Sequence, residues 1–359
     1  MENSLTVGIV GLEPSGTYYA DIFTDLGHRV MLADSDPDQR ESFEDEFETK
    51  TFENPDELFR SNIDVVFVST PNKYHGTVAT EAMEAGYDVL LEKPLAATME
   101  DAERIVETAE RTGNICMVAY FHRFREYCDI LKSYIDRGEL GEIIHIDAKF
   151  IRRRGVPGRG TWYTSKKLAG GGALIDVGCH VVDLVLYLLE WPNAEDIVAD
   201  SRSDFGHRTD YRYLEMWGED DEAKMYDVED SVRTFLKFDT GTTTDIEVAW
   251  AANVQYEHSY RIQGTDGGAE LRLDNNPISD KSTSSLNLYE VRSGGADHFA
   301  DSKIISGSDQ GYEECYEGTV KTFVDAVRTG DRPEKCNVRE ALATQELIDW
   351  IYRADKTGE

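Results

Sequence analysis

Three residues of this 359-residue chain have the types and spacing of a proton-transfer site. Asp176 and His180 are four positions apart in the apolar segment GGGALIDVGCHVVDLVLYLL, so on a helix their side chains lie on one face. Histidine suits a general base near neutral pH, and an adjacent aspartate would orient it. Lys93 follows the apolar run DVLL, and its ammonium group would stabilise a developing oxyanion. These groups fit the oxidation of a secondary alcohol, in which a base takes the hydroxyl proton while hydride leaves the carbon.

Each of these residues also has an ordinary structural interpretation. A histidine beside a carboxylate in an apolar helix is often a satisfied core pair, and a single lysine is more often a solvated surface residue. Asp183, close behind His180, is equally a helix-surface or capping acid. Catalysis is favoured because the three residues occur together with two further signals, the segment STPNKYH at 69–75 and a glycine turn after the first strand.

That turn lies in VGIVGLEPSG, residues 7–16, which has the pattern of a dinucleotide-binding strand and turn. Gly11 and Gly16 stand at the first and third glycine positions, where they permit a tight turn and close helix packing, and Leu12 follows Gly11. Asp34 ends the second predicted strand, the expected place for an acid that binds the adenosine ribose hydroxyls. Since a carboxylate there repels a 2′-phosphate, the sequence predicts NAD, with NADP not excluded.

Glu13 occupies the second glycine position of this turn and adds both bulk and like charge near the phosphates. Pro14 suits the first position of a helix. A Glu13 side chain that turns outward would therefore leave the helix N-terminus facing the phosphates. The alternative is a fold that has lost its cofactor.

The order of predicted elements indicates an α/β protein with two domains. Up to about residue 121, short apolar strands alternate with amphipathic helices, which is typical of a doubly wound parallel sheet, the Rossmann fold. After a predicted helix in FHRFREYCDILKSYIDRGELGEI, alternating strands dominate, and the chain ends in helical patterns. We therefore predict a dinucleotide-binding domain over 1–121 and an α+β domain over 122–359, with a large, mostly antiparallel, open-faced sheet, for substrate binding and oligomerisation.

The segments STPNKYH, LEKPL and DVGCH together resemble the Gfo/Idh/MocA oxidoreductase family, named for glucose–fructose oxidoreductase and inositol dehydrogenase. The resemblance runs from about residue 5 to the C-terminal helices. It implies that Lys93, Asp176 and His180 form the catalytic group and that Pro94 follows a cis peptide bond. It also implies a cofactor site lined by residues of the first domain, namely Thr70, Asn72, His75, Glu92 and Lys93, although His75 is equally a plain helix-start residue.

Candidate substrate contacts come from the most basic stretch of the chain, RRRGVPGRGTWY at 152–163. It precedes the predicted catalytic helix, and Arg152, Trp162 and Tyr163 are its candidates, with a charged surface loop as the alternative. Arg123 and Tyr120 are weaker candidates of the same kind.

Composition narrows the class of protein. Seventy acidic residues against 37 basic residues give a net charge of −33, which argues against a nucleic-acid partner. The acidic residues are dispersed, and 14 lysines stand against 23 arginines, a composition typical of proteins from salt-loving organisms, with an ordinary acidic cytosolic enzyme as the alternative. Five cysteines without a CxxC pair, and the lack of a signal or a membrane-spanning apolar run, favour reduced thiols, the cytoplasm and no membrane partner. No metal site is predicted, because the histidines are scattered and no cysteine stands at ligand spacing.

We therefore expect an NAD(P)-dependent dehydrogenase that acts on a hydroxyl of a sugar, cyclitol or related polyol. The alternatives within enzymes are reduction of a keto-sugar and action on an imine or a biliverdin-like substrate. From another class, the alternative is a catalytically silent sugar-sensing or scaffold protein, which Glu13 favours and an intact Lys93, Asp176 and His180 disfavours. The family resemblance implies a homodimer or homotetramer formed through the second-domain sheet, and the alternating apolar residues of TTTDIEVAWAA predict a sheet face that a partner subunit covers.

Overall fold

The computed structural model describes residues 4–12, 15–211, 220–221, 226–273, 284–293, 297–305 and 312–355. The chain divides into two compact units. The first comprises Met1–Phe121 and Glu313–Gln345, and the second comprises His122–Tyr312 and Glu346–Glu359.

The first unit is built on a parallel sheet whose described strands have the order β3-β2-β1-β4-β5-β6. These strands are β1 Thr6–Val10, β2 Arg29–Ala33, β3 Thr51–Phe52, β4 Val65–Val68, β5 Asp88–Leu91 and β6 Cys116–Val118. The helices between them are α1 Ser15–Asp25, α2 Pro37–Phe47, α3 Pro55–Phe59, α4 Asn72–Glu84 and α5 Met99–Thr112. Every residue of β1 and β4 is buried, as expected of parallel strands that are covered on both faces. The predicted Rossmann sheet is therefore confirmed.

The division of the chain differs from the predicted one in the segment 313–345, which belongs to the first unit. This segment contains most of α9 Tyr312–Thr329 and the start of α10 Val338–Ala354. The ring of Tyr316 stacks on Phe121 with a centroid distance of 4.5 Å and meets the ring of Tyr19 edge-on at 5.1 Å. The apolar face of α9 thus covers aromatic residues from distant parts of the chain, which helical periodicity alone cannot assign to one domain.

The second unit is built on a sheet whose described strands have the order β14-β13-β12-β11-β7-β10-β9-β8. These strands are β7 Ile143–Ile151, β8 Ala194–Arg202, β9 Ser231–Phe238, β10 Thr243–Ala249, β11 Glu257–Gly264, β12 Gly267–Arg272, β13 Ser285–Ser293 and β14 Asp297–Ile304. The helices are α6 Glu126–Asp136, α7 Lys166–Ala169 and α8 Cys179–Leu188, with a single π-helical turn over Leu174–Gly178. Among the described strands of this second sheet, only β7 and β10 pair in parallel, so the predicted mostly antiparallel sheet is confirmed.

The two faces of this sheet differ in chemistry, and the prediction of an apolar open face in β10 is wrong. Ile246 and Val248 are buried on the inner face, on which the π-helical turn packs. The outer face of β10 presents Asp245 and Glu247 instead, because successive strand residues point to opposite sides.

One helical stretch among the described residues, Lys166–Leu188, is long and apolar enough to cross a membrane. Length and composition do not separate a membrane span from a core helix, and 94% of its most apolar window is buried inside the protein. This burial is typical of a core helix. All five cysteines are buried, and none of them is joined to another by a disulfide bond.

Candidate active site

In the first unit, the turn after β1 brings two strand ends together at the carboxyl edge of the sheet. Gly11 has φ +86°, and a Cβ atom on it would lie 2.5 Å from the carbonyl oxygen of Ser69, which follows β4. A Cβ atom on Gly16 would lie 2.8 Å from the carbonyl oxygen of Gly11. Both positions therefore require glycine, as the sequence pattern predicts. Glu13 and Pro14 lie outside the described residues.

Asp34 is held at this turn by backbone amides. One carboxylate oxygen accepts a hydrogen bond from the Leu12 amide at 3.0 Å, and the other accepts from the Asp36 amide at 2.8 Å. Arg40 donates to the Asp34 carbonyl oxygen at 2.7 Å. Asp34, the acid predicted to bind the ribose hydroxyls, is thus fixed beside the glycine turn. The Arg40 guanidinium is hydrogen-bonded to its backbone.

His75 connects the two loops that follow β4 and β5. Its Nδ1 lies 2.9 Å from the carbonyl oxygen of Pro94, and its Nε2 lies 2.9 Å from that of Thr70. The ring is fully buried, and this burial lowers the pKa of His75 to about 4, although both carbonyls favour the protonated ring. The prediction that His75 lines the cofactor site is therefore corrected, because the ring is fully buried and both ring nitrogens face backbone carbonyl oxygens of the protein.

Lys93 lies on the second of these loops, directly after β5, and is partly exposed. The peptide bond between Lys93 and Pro94 is cis, as the family resemblance implies. The Lys93 amide donates to the carboxylate of Glu92 at 2.9 Å, and Glu92 itself is buried. Thr70 lies on the first loop, and Asn72 is the first residue of α4. The predicted residues of the first unit therefore share the sheet edge at which open α/β sheets bind ligands.

In the second unit, Asp176 lies within the π-helical turn that leads into α8, and the indole nitrogen of Trp250 donates to its carboxylate at 2.9 Å. Both side chains are buried. Single π-helical turns inside helices are frequent at functional sites. The turn places a carboxylate with a fixed donor in the helix that carries His180.

His180 lies at the end of a row of buried histidines. Its ring meets that of His122 edge-on at a centroid distance of 4.7 Å, and His122 meets His258 in the same manner at 5.1 Å. Arg125 donates to Nδ1 of His122 at 3.3 Å, and since guanidinium is only a donor, this nitrogen of His122 is an acceptor. Burial, with the charges of Arg125 and Arg152, lowers the pKa of His258 well below its usual value.

These neighbours revise the expectation that the histidines are scattered. His122 and His258 join His180 only through the fold, so nothing in their sequence spacing indicates the cluster. Within the described residues, no group of three or more histidine, cysteine or acidic side chains has an arrangement that would hold a metal ion.

Arg123, a candidate substrate contact, is an internal residue of the second unit. Its side chain is 0% exposed and forms an ion pair with Asp183, to which its Nε donates at 2.7 Å. Its guanidinium also lies 4.7 Å from the ring centroid of Trp191. The substrate role of Arg123 is therefore corrected to a buried pair, and Asp183 is neither a surface acid nor a cap.

The basic stretch at 152–163 keeps its candidates at partly exposed positions. The rings of Trp162 and Tyr163 stack at 3.8 Å, and the buried indole nitrogen of Trp162 has no hydrogen-bond partner among the described residues. The guanidinium of Arg152 lies 5.5 Å from the ring centroid of Phe150, which stacks on His258. Arg152 therefore lies near the histidine row. A buried donor without a partner, such as the Trp162 indole nitrogen among the described residues, is uncommon.

Two family models match most of the chain. The model described as "Oxidoreductase family, NAD-binding Rossmann fold" matches residues 5–120, and the model described as "GFO/IDH/MocA C-terminal domain" matches residues 129–270. The first match covers the parallel sheet, and the second covers the segment with Asp176 and His180.

Named relatives include sugar and cyclitol dehydrogenases. The chain is 36% identical to D-glucoside 3-dehydrogenase from Escherichia coli over 210 residues, which is 58% of either chain. It is 27% identical to scyllo-inositol 2-dehydrogenase (NAD(+)) from Bacillus subtilis over 93% of this chain and 89% of that one. Among solved structures, levoglucosan dehydrogenase in complex with NADH superposes with a TM-score of 0.83 at 21% identity, over 98% of this chain and 96% of that one. That structural likeness supports the fold.

Proposed function

Because this chain belongs to the Gfo/Idh/MocA family of oxidoreductases, we propose that it is an NAD(P)-dependent dehydrogenase that acts on the CH–OH group of a sugar, cyclitol or related polyol. The observation that carries the proposal is the edge of the parallel sheet, where Asp34 is hydrogen-bonded to the glycine turn and Lys93 follows the strand β5. The helix of the second unit adds a buried carboxylate and an imidazole, Asp176 and His180.

The residues present fit a dinucleotide. Gly11 and Gly16 add no side chain at two positions of the turn, and the helix α1 begins at Ser15, so its N-terminal dipole favours a pyrophosphate. Asp34 would accept hydrogen bonds from the ribose hydroxyls, which favours NAD, while the nearby Arg40 softens the exclusion of NADP. When bound, NAD supplies the nicotinamide ring that accepts hydride from a carbon.

The protein's own part of the reaction is proton transfer and charge stabilisation. In alcohol oxidation, His180 takes the hydroxyl proton as the carbon–hydrogen bond breaks. Asp176, held by Trp250, stabilises the imidazolium that forms. The Lys93 ammonium lowers the energy of the alkoxide character that develops on the substrate oxygen. In the reverse direction the same imidazolium returns the proton to a keto-sugar.

Sugar and polyol substrates are supported by the names of the relatives, and they suit a basic, aromatic loop at 152–163. The stacked rings of Trp162 and Tyr163 lie in this loop at partly exposed positions. Keto-sugar reduction, or action on an imine or biliverdin-like substrate, would use the same groups. A silent sensor or scaffold is not favoured, because Lys93, Asp176 and His180 are all retained.

The experiment is a panel of sugars and inositols incubated with NAD and, separately, with NADP, with formation of the reduced cofactor followed by absorbance. Turnover of at least one panel member is expected, with the higher kcat/KM for NAD. Binding of NADH in a fluorescence titration without turnover of any member in either direction would instead support the silent protein.

We further propose that the outer face of the second-unit sheet associates with a second copy of this chain, giving a homodimer or homotetramer. The face carries alternating charges, including ion pairs of Arg233 with Glu247 at 2.6 Å and of Arg272 with Glu270 at 2.7 Å. Beside them lies an exposed apolar pair, Val291 at 61% and Phe299 at 86% exposure, on neighbouring strands. In an interface with two-fold symmetry the same patch lies on both copies, so acidic groups of one copy can face basic groups of the other.

The net charge of −33 supports a protein of a salt-rich cytoplasm with no nucleic-acid or membrane partner. At about 1 M salt the screening length is ~3 Å, so the repulsion among dispersed carboxylates is weak there. Phosphate backbones and anionic lipid surfaces are repelled by the same charge. Five buried cysteines without a disulfide bond suit a reducing compartment.

A further inference from the structure

One acidic residue supplies the start of the catalytic helix with hydrogen-bond acceptors. The carboxylate of Glu229 accepts from the amide of Gly172 at 2.9 Å to each oxygen and from the amide of Leu174 at 3.0 Å. Its carbonyl oxygen accepts from the amide of Ala173 at 3.1 Å. The first amides of a helix have no partner within the helix. Glu229 thus serves three consecutive donors at the point where the segment with Asp176 and His180 begins.

A residue of the C-terminal helix completes this arrangement. The hydroxyl of Tyr352, on α10, donates to the Glu229 carboxylate at 2.8 Å. Burial raises the pKa of the Glu229 carboxyl, while the four hydrogen bonds oppose that shift. The carboxylate therefore joins two helices that are far apart in the sequence.

The run Gly170, Gly171 and Gly172 reflects this packing. Gly170 has φ +91° and ends α7. A Cβ atom on Gly171 would lie 2.0 Å from the Tyr352 hydroxyl oxygen, and one on Gly172 would lie 1.9 Å from the Glu229 carbonyl oxygen. Real atoms do not approach so closely, so any side chain at these two positions would push Tyr352 and Glu229 away.

Asp230, the residue after Glu229, holds the residue that donates to Asp176. Its carbonyl oxygen accepts from the backbone amide of Trp250 at 2.8 Å. The indole of Trp250 in turn donates to the Asp176 carboxylate. Two consecutive residues, Glu229 and Asp230, thus hold both the start of the catalytic helix and the donor to its aspartate.

We propose that Glu229 and Tyr352 are positioning residues that set the placement of Asp176 and His180 for the reaction. This inference rests on the proposed dehydrogenase function. Displacing a reacting group by about 1 Å can cost on the order of 100-fold in rate. Substitution of Glu229 or Tyr352 changes hydrogen bonds at this helix start and leaves the glycine turn and Asp34 of the first unit unaltered.

The test compares Tyr352→Phe and Glu229→Gln with the wild type. Tyr352→Phe removes one hydroxyl and keeps the ring beside Gly171. We therefore expect this variant to fold even if Glu229→Gln does not. Asp239→Asn is the matched control, because Asp239 also accepts a backbone amide, that of Asn193 at 3.2 Å, but lies at the turn between β9 and β10. For each protein we would measure kcat on the best substrate of the panel, the Kd for NADH, and hydrogen exchange of the amides at 172–176.

We expect kcat to fall about 10-fold or more in Tyr352→Phe and further in Glu229→Gln, with the Kd for NADH within about twofold of the wild type. Exchange at 172–176 should be faster in both variants, and Asp239→Asn should match the wild type throughout. Wild-type exchange in Tyr352→Phe, or faster exchange with unchanged kcat, would overturn the positioning role. A wild type that turns over no substrate would overturn the proposed function itself, and the exchange data would still decide whether Glu229 and Tyr352 hold the helix start.

Discussion

At the residue scale, the proposed preference for NAD rests on Asp34. The amides of Leu12 and Asp36 donate to its carboxylate, so the orientation of this group is set in the absence of a ligand. Charged hydrogen bonds of this kind contribute about 1.5–3 kcal/mol each, so their loss is measurable in a cofactor comparison.

We predict that Asp34→Ala raises the ratio of kcat/KM for NADP to that for NAD by about 10-fold or more. The variant loses the ribose contact that favours NAD and the repulsion that disfavours NADP. Steady-state kinetics with both cofactors measure the ratio, and Asp38→Ala, which removes an exposed carboxylate in the first turn of α2, is the control. An unchanged ratio in Asp34→Ala would contradict the assignment.

We make a second residue-scale prediction for the charge of Glu13. If its carboxylate faces the pyrophosphate, Glu13→Gly should bind NADH more tightly than the wild type at low salt, with the advantage shrinking as salt screens the repulsion. Glu13→Gln separates charge from bulk, because it keeps the size of the side chain. NADH titrations at several salt concentrations provide the measurement. Equal affinities of all three proteins at every salt concentration would mean that Glu13 faces outward.

At the scale of elements, the sequence predicts each unit's sheet because periodicity is local. The apolar runs of β1, β4 and β5 and the alternation in β9 and β10 are visible in short windows. Contacts between distant segments have no such signal. The row of His122, His258 and His180, the donor Trp250, and the partners Glu229 and Tyr352 were therefore not predicted, although the three consecutive glycines at 170–172 do indicate close packing.

The lack of a local sequence signal for contacts between distant segments also explains the wrong predictions for Arg123 and His75. Residue type made Arg123 a substrate candidate, and only the fold reveals that Asp183 neutralises it inside the second unit. The segment STPNKYH does follow the fourth strand, β4, but the His75 ring within it contacts the carbonyl of Pro94, which is 19 residues away.

His75 makes the first unit sensitive to acid. Its folded-state pKa of about 4 lies below the ordinary value of 6.5, so the unfolded chain binds the proton more readily and stability falls as pH decreases through this range. The full shift corresponds to roughly 3 kcal/mol.

We therefore predict that the free energy of unfolding of the wild type falls between pH 6.5 and 4 by roughly 3 kcal/mol relative to that of His75→Gln, which has no titrating ring. Denaturant unfolding of both proteins at several pH values gives the difference, in which the effects of the other carboxylates cancel. Parallel pH profiles would mean that His75 is charged in the folded protein, held by its two carbonyl acceptors.

At the scale of the whole molecule, the outer sheet face and the net charge act together. An exposed Phe299 and Val291 beside alternating charges favour self-association, while a net charge of −33 opposes it until salt screens the repulsion. Association should therefore strengthen with salt.

We predict a dimer or tetramer in sedimentation at molar salt and weaker association in Phe299→Asp, since the substitution places a charge at the apolar part of the face. His298→Asp adds a charge of the same sign to the other side of the same strand, β14, and should leave the assembly intact. A monomeric wild type at high salt, or equal effects of the two variants, would contradict association through this face.

The central claim is that Lys93 and His180 perform the chemistry of a dehydrogenase. Its most direct test is the turnover of Lys93→Met and His180→Ala on the best substrate of the panel, with the exposed Lys73→Met and His298→Ala as matched controls. We predict that each of the two site variants loses at least about 100-fold in kcat, that His180→Ala binds NADH nearly as tightly as the wild type, and that the controls keep full activity. Wild-type turnover in both Lys93→Met and His180→Ala would contradict the claim.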